Sequence, residues 1–246
     1  MKPEIRDITA AFLLLTRLPL PADHAHAGER GAAAAWAYPL VGAAIGLVAG
    51  GLGWGLLWLG VSAPMVAVFI LGFQIAITGG LHEDGLADFA DGSGGFSRER
   101  RLEIMKDSRI GTYGALALIL AILARYFGIF ALEGAELPLG LAALGAASRA
   151  AMVMVMAGLP NARAGGMSAR AGRPERGTAG MAALIGAALC FIAFGWGALW
   201  VLALMALAVL TIMALARKSL GGQTGDVLGA SQQASEIAGF AVLTAV

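Results

Sequence analysis

Seven almost uncharged apolar stretches, most of them close to 20 residues long, set the narrowest limit on what this chain can fold into. They run near Ala33–Leu59, Pro64–Thr78, Thr112–Leu132, Leu137–Leu159, Thr178–Phe194, Trp196–Ala216 and Ser235–Val246. About 20 apolar residues cross a bilayer as a helix. Inside lipid the backbone must satisfy its own hydrogen bonds, which leaves helices or a closed barrel. Composition agrees: 59% of the residues are hydrophobic and 13% are charged, against about 25% charged in ordinary soluble domains. The expected fold is all-α, a polytopic transmembrane helical bundle of about seven spans, forming one integral membrane domain over residues 1–246. The second and last stretches are short, so each is read as tilted, broken or partly inserted. Ile5–Leu18 is too interrupted by Arg17, and too sharply ended by Pro19 and Pro21, for a signal peptide. It reads as a retained interfacial helix followed by a polar loop, Pro21–Arg30.

Charge placement orients the bundle. Of 17 Lys and Arg residues, 15 fall in the N-terminal segment or in three loops, Gly79–Gly111, Pro160–Gly177 and Arg217–Ala234. The intervening hairpins, Gly60–Ala63, Glu133–Glu136 and the join at Gly195, hold no Lys or Arg. The positive-inside rule makes the basic side cytoplasmic. Seven spans put the C-terminus outside; a re-entrant last segment would keep it inside. Trp36, Trp54, Trp58, Trp196 and Trp200 sit near proposed span ends, as an aromatic belt would. Gly42, Gly46 and Gly50 form a flat stripe for close helix packing, within the chain or across a homo-oligomer. A net charge of +1 gives no reason to expect nucleic acid. Cys190 stands alone, which excludes an intrachain disulfide and a thiolate metal site.

One stretch departs from this apolar background. Gly79–Gly111 holds Glu83, Asp84, Asp88, Asp91, Glu99, Glu103 and Asp107, seven of the 16 acidic residues. Asp84, Asp88 and Asp91 stand at i, i+4 and i+7, within one arc of a helix, with no basic residue interleaved. Carboxylates so placed repel one another unless a cation sits among them. Gly92 ends that helix and Ser97 caps a second one, running to about Asp107, on which Glu99, Glu103 and Asp107 recur every fourth residue. Two short helices around the turn at Gly92–Phe96 can face their acids across a pocket of hard oxygen ligands. Such a pocket suits Mg²⁺ or Mn²⁺ and a bound pyrophosphate. Glu83 reads either as an added ligand or as a solvent-facing charge, and Glu99 as a candidate for ordinary surface charge beside Arg98, Arg100, Arg101 and Lys106.

Asp88-Phe89-Ala90-Asp91-Gly92, followed by acids four apart, resembles the CDP-alcohol phosphotransferase pattern, although Gly95-Phe96 stands where that pattern has Ala-Arg. A closer resemblance covers nearly the whole chain. Gly79 to Gly92 (GGLHEDGLADFADG) is similar to the signature of the cobalamin synthase, or adenosylcobinamide-GDP ribazoletransferase, family. So are Thr16–Pro21 (TRLPLP), Tyr38–Gly42 (YPLVG), Arg101–Gly111 (RLEIMKDSRIG), Ser148-Arg149 and Gly221–Ala230 (GGQTGDVLGA). Glu83 stands where that family usually has Leu. The resemblance implies transfer of the cobinamide phosphate of adenosylcobinamide-GDP to the 5′-hydroxyl of α-ribazole or its 5′-phosphate, with release of GMP. Charge placement puts the site at the cytoplasmic face of the inner membrane.

On that reading Asp84, Asp88, Asp91, Glu103 and Asp107 bind Mg²⁺, and Asp107 or Glu103 takes the hydroxyl proton. His82, directly before the acidic helix, is a candidate for phosphate contact or proton transfer. Lys106 and Arg109 can neutralise pyrophosphate oxygens. Arg149, in mid-span beside Ser148, can grip a phosphate or a corrinoid amide, whereas Arg125 reads as a structural partner. Thr224 and Asp226 lie in a Gly-rich loop expected to meet substrate. Membrane lipid surrounds the spans. The rivals are a phospholipid-type CDP-alcohol phosphotransferase, which would release CMP, and a cation transporter, which would hold carboxylates deep inside its spans.

Overall fold

The structure is a computed structural model that describes residues 2–21, 24–134 and 136–245. Residues 22 and 23 of the predicted loop, position 135 of the predicted hairpin, and Val246 of the last predicted span lie outside the described residues. Among the described residues there is no strand, only helices and one isolated bridge between Asn161 and Gln223.

Helix α1 spans Arg6–Leu15 and buries Asp7, Ala11 and Leu15 against the bundle. The predicted loop after it is instead helical: α2 spans His24–Arg30 and continues through a 3₁₀ stretch, Gly31–Ala37, into α3, Tyr38–Trp58. A tertiary ion pair explains the difference. Arg30 donates from Nε to Asp7 Oδ1 at 2.6 Å, and the Trp36 indole donates to the same carboxylate at 2.8 Å. That anchor organises a polar segment which carries no apolar period of its own.

Helix α4, Ala63–Thr78, meets α5, Leu81–Gly92, at 86°. Gly79 and Gly80 take left-handed φ of 67° and 70°, which a side chain would resist. Two consecutive left-handed residues turn the chain, and α5 lies across the end of the bundle rather than continuing the span. Helix α6, Arg98–Ile104, follows the turn, capped by Ser97 accepting from the Arg100 amide. It stops three residues short of the predicted end at Asp107. Then come α7, Thr112–Phe130, and α8, Glu136–Gly158. The short α9, Met167–Ala171, precedes α10, Arg176–Phe194, and α11, Ala198–Leu220. The last helix, α12, spans Gly225–Leu243 and starts ten residues before the predicted Ser235.

The buried apolar residues fall into two stacked groups. One holds Leu15, Tyr38, Val41, Met152, Met156, Ala179, Ala216 and Val227; the other holds Ala49, Ile70, Leu137, Leu141, Cys190, Val201 and Phe240. Each long helix enters one group and leaves through the other. Thus α10 descends from Ala179 to Cys190 and α11 returns from Val201 to Ala216. Arg176–Leu220 is therefore a hairpin turning at Gly195, not one straight rod. The acidic segment and the basic loops all sit at the first group's end, and α12 carries its C-terminal end to the opposite one.

Four helical segments among the described residues are long and apolar enough to cross a membrane: His26–Trp58, Thr112–Phe130, Glu136–Gly158 and Arg176–Leu220. The pair α4 and α5, bent by 86°, passes the same test only when the two are counted together. This differs from seven separate spans because the fourth segment contains both hairpin arms and because α12 is too polar to qualify. Ser231, Gln232, Gln233, Ser235 and Glu236 of α12 are all buried.

The glycine stripe of α3 is used inside the chain. A Cβ on Gly42 would lie 2.0 Å from the Gly145 carbonyl oxygen, and one on Gly46 2.1 Å from that of Leu141. Only a bare backbone lets α3 and α8 approach so closely.

Candidate active site

Helix α5 carries the site because it bears a stripe that changes character along its length. Leu81, Asp84, Asp88 and Asp91 follow at i, i+3, i+7 and i+10, on one face. The adjoining flank is packed: Gly85 faces α12, where a Cβ would meet the Asp226 and Gly229 backbones at 3.1 and 3.2 Å. This crossing of two small residues brings Asp226 beside Asp84 and Asp88. Thr224 caps α12 by accepting from the Val227 amide at 3.3 Å and donates to Asp226 at 3.1 Å. The sequence placed Thr224 and Asp226 in a loop meeting substrate. The structure instead gives Thr224, almost wholly buried, a capping role, and makes Asp226 part of the acidic cluster.

Charge in this cluster is poorly balanced. Burial, and then the charges of Asp84, Asp226 and Asp91, push the Asp88 carboxyl up to about 7. Burial also raises Asp226, against the pull of Arg163, which pairs with it at 3.1 Å. One guanidinium is not enough for three carboxylates.

Asp91 is held differently. Its carboxylate accepts from the Gly111 amide at 2.7 Å and the Gly114 amide at 2.8 Å, closing the otherwise unpaired start of α7. Side chains at either glycine would run into that carboxylate. Asp91, Arg100, Glu103, Asp107, Arg109 and Tyr113 line a cavity of about 310 Å³. Glu103 pairs with Arg100 at 3.1 Å and Asp107 with Arg109 at 2.7 Å, both exposed. The Arg109 guanidinium holds Asp107 down to about 2. The structure thus brings Asp91, Glu103 and Asp107 together, and Asp84 and Asp88 together with Asp226. Lys106 is exposed nearby.

Among the described residues no three His, Cys, Asp or Glu side chains converge as a bound metal ion requires. The donor chemistry still suits a hard divalent cation: carboxylates only, crowded enough to raise Asp88, with spare oxygens that no protein donor satisfies.

Three expectations change. Arg149 does not face substrate; it is 6% exposed and pairs with Glu236 at 3.2 Å. Glu83 is not surface charge; it is 9% exposed and accepts from Arg125 at 2.6 Å. The two pairs join through Gln74, Ser148, Gln232 and Gln233 into a net-neutral network linking α4, α5, α7, α8 and α12. Glu236, the residue on which it centres, passed unnoticed in the sequence, although an acid inside an apolar C-terminal run was the available signal. His82 lies off the acidic face. It is 1% exposed, its Nε2 has no hydrogen-bond partner, and it lines a cleft with Leu14, Tyr38 and Met156.

Comparison with known proteins gives a consistent family. The sequence profile described as cobalamin-5-phosphate synthase matches residues 7–244. A protein of Azorhizobium caulinodans called adenosylcobinamide-GDP ribazoletransferase is 44% identical, covering 95% of this chain and 93% of its own. Proteins of the same name from Bradyrhizobium diazoefficiens and Rhizobium meliloti are 43% and 41% identical, covering 95% and 94% of this chain and 91% and 93% of theirs. No solved structure matches the chain.

Proposed function

The chain belongs to the cobalamin-5-phosphate synthase family, and from that premise we propose that the end of the bundle bearing α5 and α6 performs the transfer its relatives are named for. The enzyme is an adenosylcobinamide-GDP ribazoletransferase. A free ribose hydroxyl of α-ribazole, or of its 5′-phosphate with that phosphate left untouched, bonds through its oxygen to the phosphorus attached to cobinamide and gives its proton to a carboxylate. The bond from that phosphorus to the GMP oxygen breaks, and GMP leaves. The products are adenosylcobalamin, or its 5′-phosphate, and GMP.

Asp84 and Asp88 with the adjoining Asp226, and Asp91, Glu103 and Asp107 around the turn, would hold Mg²⁺. When bound, the cation offsets the charge of the pyrophosphate and of departing GMP. Arg100 and Arg109, exposed at the cavity rim, and Lys106 beside them, can release their carboxylate partners to pair with phosphate oxygens. Glu103 is the better acceptor for the hydroxyl proton, because Arg109 holds Asp107 in its ionised, weakly basic form. The observation that carries this reading is the crowding of carboxylates at the α5–α12 crossing, which lifts Asp88 to about 7.

Location follows the same evidence. All the basic loops lie at the active-site end, which supports a cytoplasmic membrane enzyme with its site facing the cytoplasm. Exposed Leu52, Ile119, Ile192 and Leu207 on the flanks support contact with lipid.

The test is GMP release by membranes given adenosylcobinamide-GDP, α-ribazole and Mg²⁺. Asp88→Asn is expected to lower the rate by about 10²–10³-fold, the loss typical of one transition-state contact. Full activity of that variant at saturating metal would overturn the assignment of the acids.

A further inference from the structure

A cleft separate from the acidic cavity opens where α1, α3, α8 and α12 meet. Its walls are Leu14, Leu15, Tyr38, Leu81, Met152 and Met156; its cavity volume is about 50 Å³, and about 490 Å³ with the open space at its mouth. Two polar side chains, His82 and Ser168, interrupt this apolar lining. Ser168 is committed, donating to Gln223 at 2.5 Å. His82 is not: the residue is 1% exposed and its Nε2 has no partner. A buried nitrogen left unpaired destabilises the fold, so a chain that keeps one inside a cleft has a use for it once the cleft is filled.

The cleft also adjoins the chemistry. Gly225 and Gly229 form one wall, and Asp226 lies between them in the acidic cluster. Leu81, on another wall, begins the stripe that continues as Asp84 and Asp88. From Leu81 to Asp88 the helix rises about 10 Å.

Resting on the reading of the reaction above, we propose that this cleft is the subsite for the planar aromatic base of the acceptor nucleoside, a benzimidazole, with His82 Nε2–H donating to its unsubstituted ring nitrogen. Leucine walls and two methionine sulfurs match the faces and edges of a bicyclic ring. An acyl chain would fit the walls but leave His82 unpaired. With the base seated, the ribose leaves along Gly225 towards the Asp84–Asp88–Asp226 cluster. His82 is then a substrate-binding residue rather than an acid or base.

The test uses the full-length chain in detergent or membranes. Steady-state KM is measured for α-ribazole and for adenosylcobinamide-GDP separately, in wild type, His82→Phe and Leu14→Trp. The first variant keeps the ring's bulk but removes the nitrogen. The second narrows the mouth from a position that is 41% exposed and so disturbs folding least. Both are expected to raise KM for α-ribazole at least tenfold and leave that for adenosylcobinamide-GDP within twofold. Titration with a free benzimidazole should show saturable binding to wild type that both variants weaken. Equal rises in both KM values, or no change in either, overturn the proposal, as does the absence of saturable benzimidazole binding. If wild type releases no GMP from the two substrates, the reaction assignment fails, and the titration still tests the cleft by itself.

Discussion

Glu236 faces two guanidinium groups, Arg125 Nε at 3.4 Å and Arg149 at 3.2 Å, in the interior of the bundle. Neutralising it strands buried positive charge, for which the cost is about 3–5 kcal/mol. Glu236→Gln should therefore lower the melting temperature of the detergent-solubilised protein sharply. Pairing it with Arg149→Met should recover part of the loss, since the second change removes one of the stranded charges. Additive losses would show that the pair does not interact. Asp88 makes a prediction of opposite character. Its carboxyl is raised to about 7, so between the ordinary carboxylate range and 7 the folded protein holds a proton that the unfolded chain has released. Stability of the metal-free protein then falls as pH rises through 7. Added Mg²⁺ should raise the melting temperature more at pH 8 than at pH 6, and Asp88→Asn should remove most of that difference. An equal gain at both pH values would contradict it. The acid spacing on α5 and α6 was legible in the sequence, because i, i+4 periodicity is local. The partners of Glu83, Arg149 and Glu236 were not, because each lies on a helix far away in sequence.

Helix boundaries follow local chemistry where it is strong. Ser97 caps α6, Pro39 starts α3, and Gly79-Gly80 turns α4 into α5. Tertiary partners move the boundaries elsewhere. Gly225–Ala234 reads as a polar loop, yet it is the first half of α12, because Gln232 and Gln233 find partners on α5, α7 and α8. The α3–α8 contact gives a test at this scale. Gly46→Leu would drive a side chain into the Leu141 carbonyl and force the helices apart, for at least about 1–3 kcal/mol of overpacking. Gly51→Leu on the same helix, where nothing lies within 4 Å, should leave the melting temperature and activity unchanged. If both glycines behave alike, the packing described for this face is wrong.

The molecule as a whole is polarised. One end carries the acidic cluster, the clefts and the basic loops; the other carries short turns without Lys or Arg. Cys190 is buried, so single added cysteines report topology cleanly once it is replaced by Ala. In sealed vesicles, cysteines at Ser97 and Lys218 should react with a membrane-impermeant maleimide from one side only. Cysteines at Ser62 and Glu133 should react only from the other. Labelling of all four from the same side would refute the alternation of the helices.

The sequence by itself determined that the chain is helical and built for a membrane, which end holds the charge, and which acids share a helical face. Each of these depends on residues within a few turns of one another, or on summed composition. Only the tertiary structure decided that Asp226 joins Asp84 and Asp88, and that Arg149 and Glu83 are interior partners. It alone put His82 in an apolar cleft and made α12 a polar helix buried in the bundle. Those outcomes depend on which backbones approach closely enough to exclude water, through contacts such as Gly85 on Gly229 and Gly42 on Gly145. A buried polar group takes its role from the neighbours that close packing gives it.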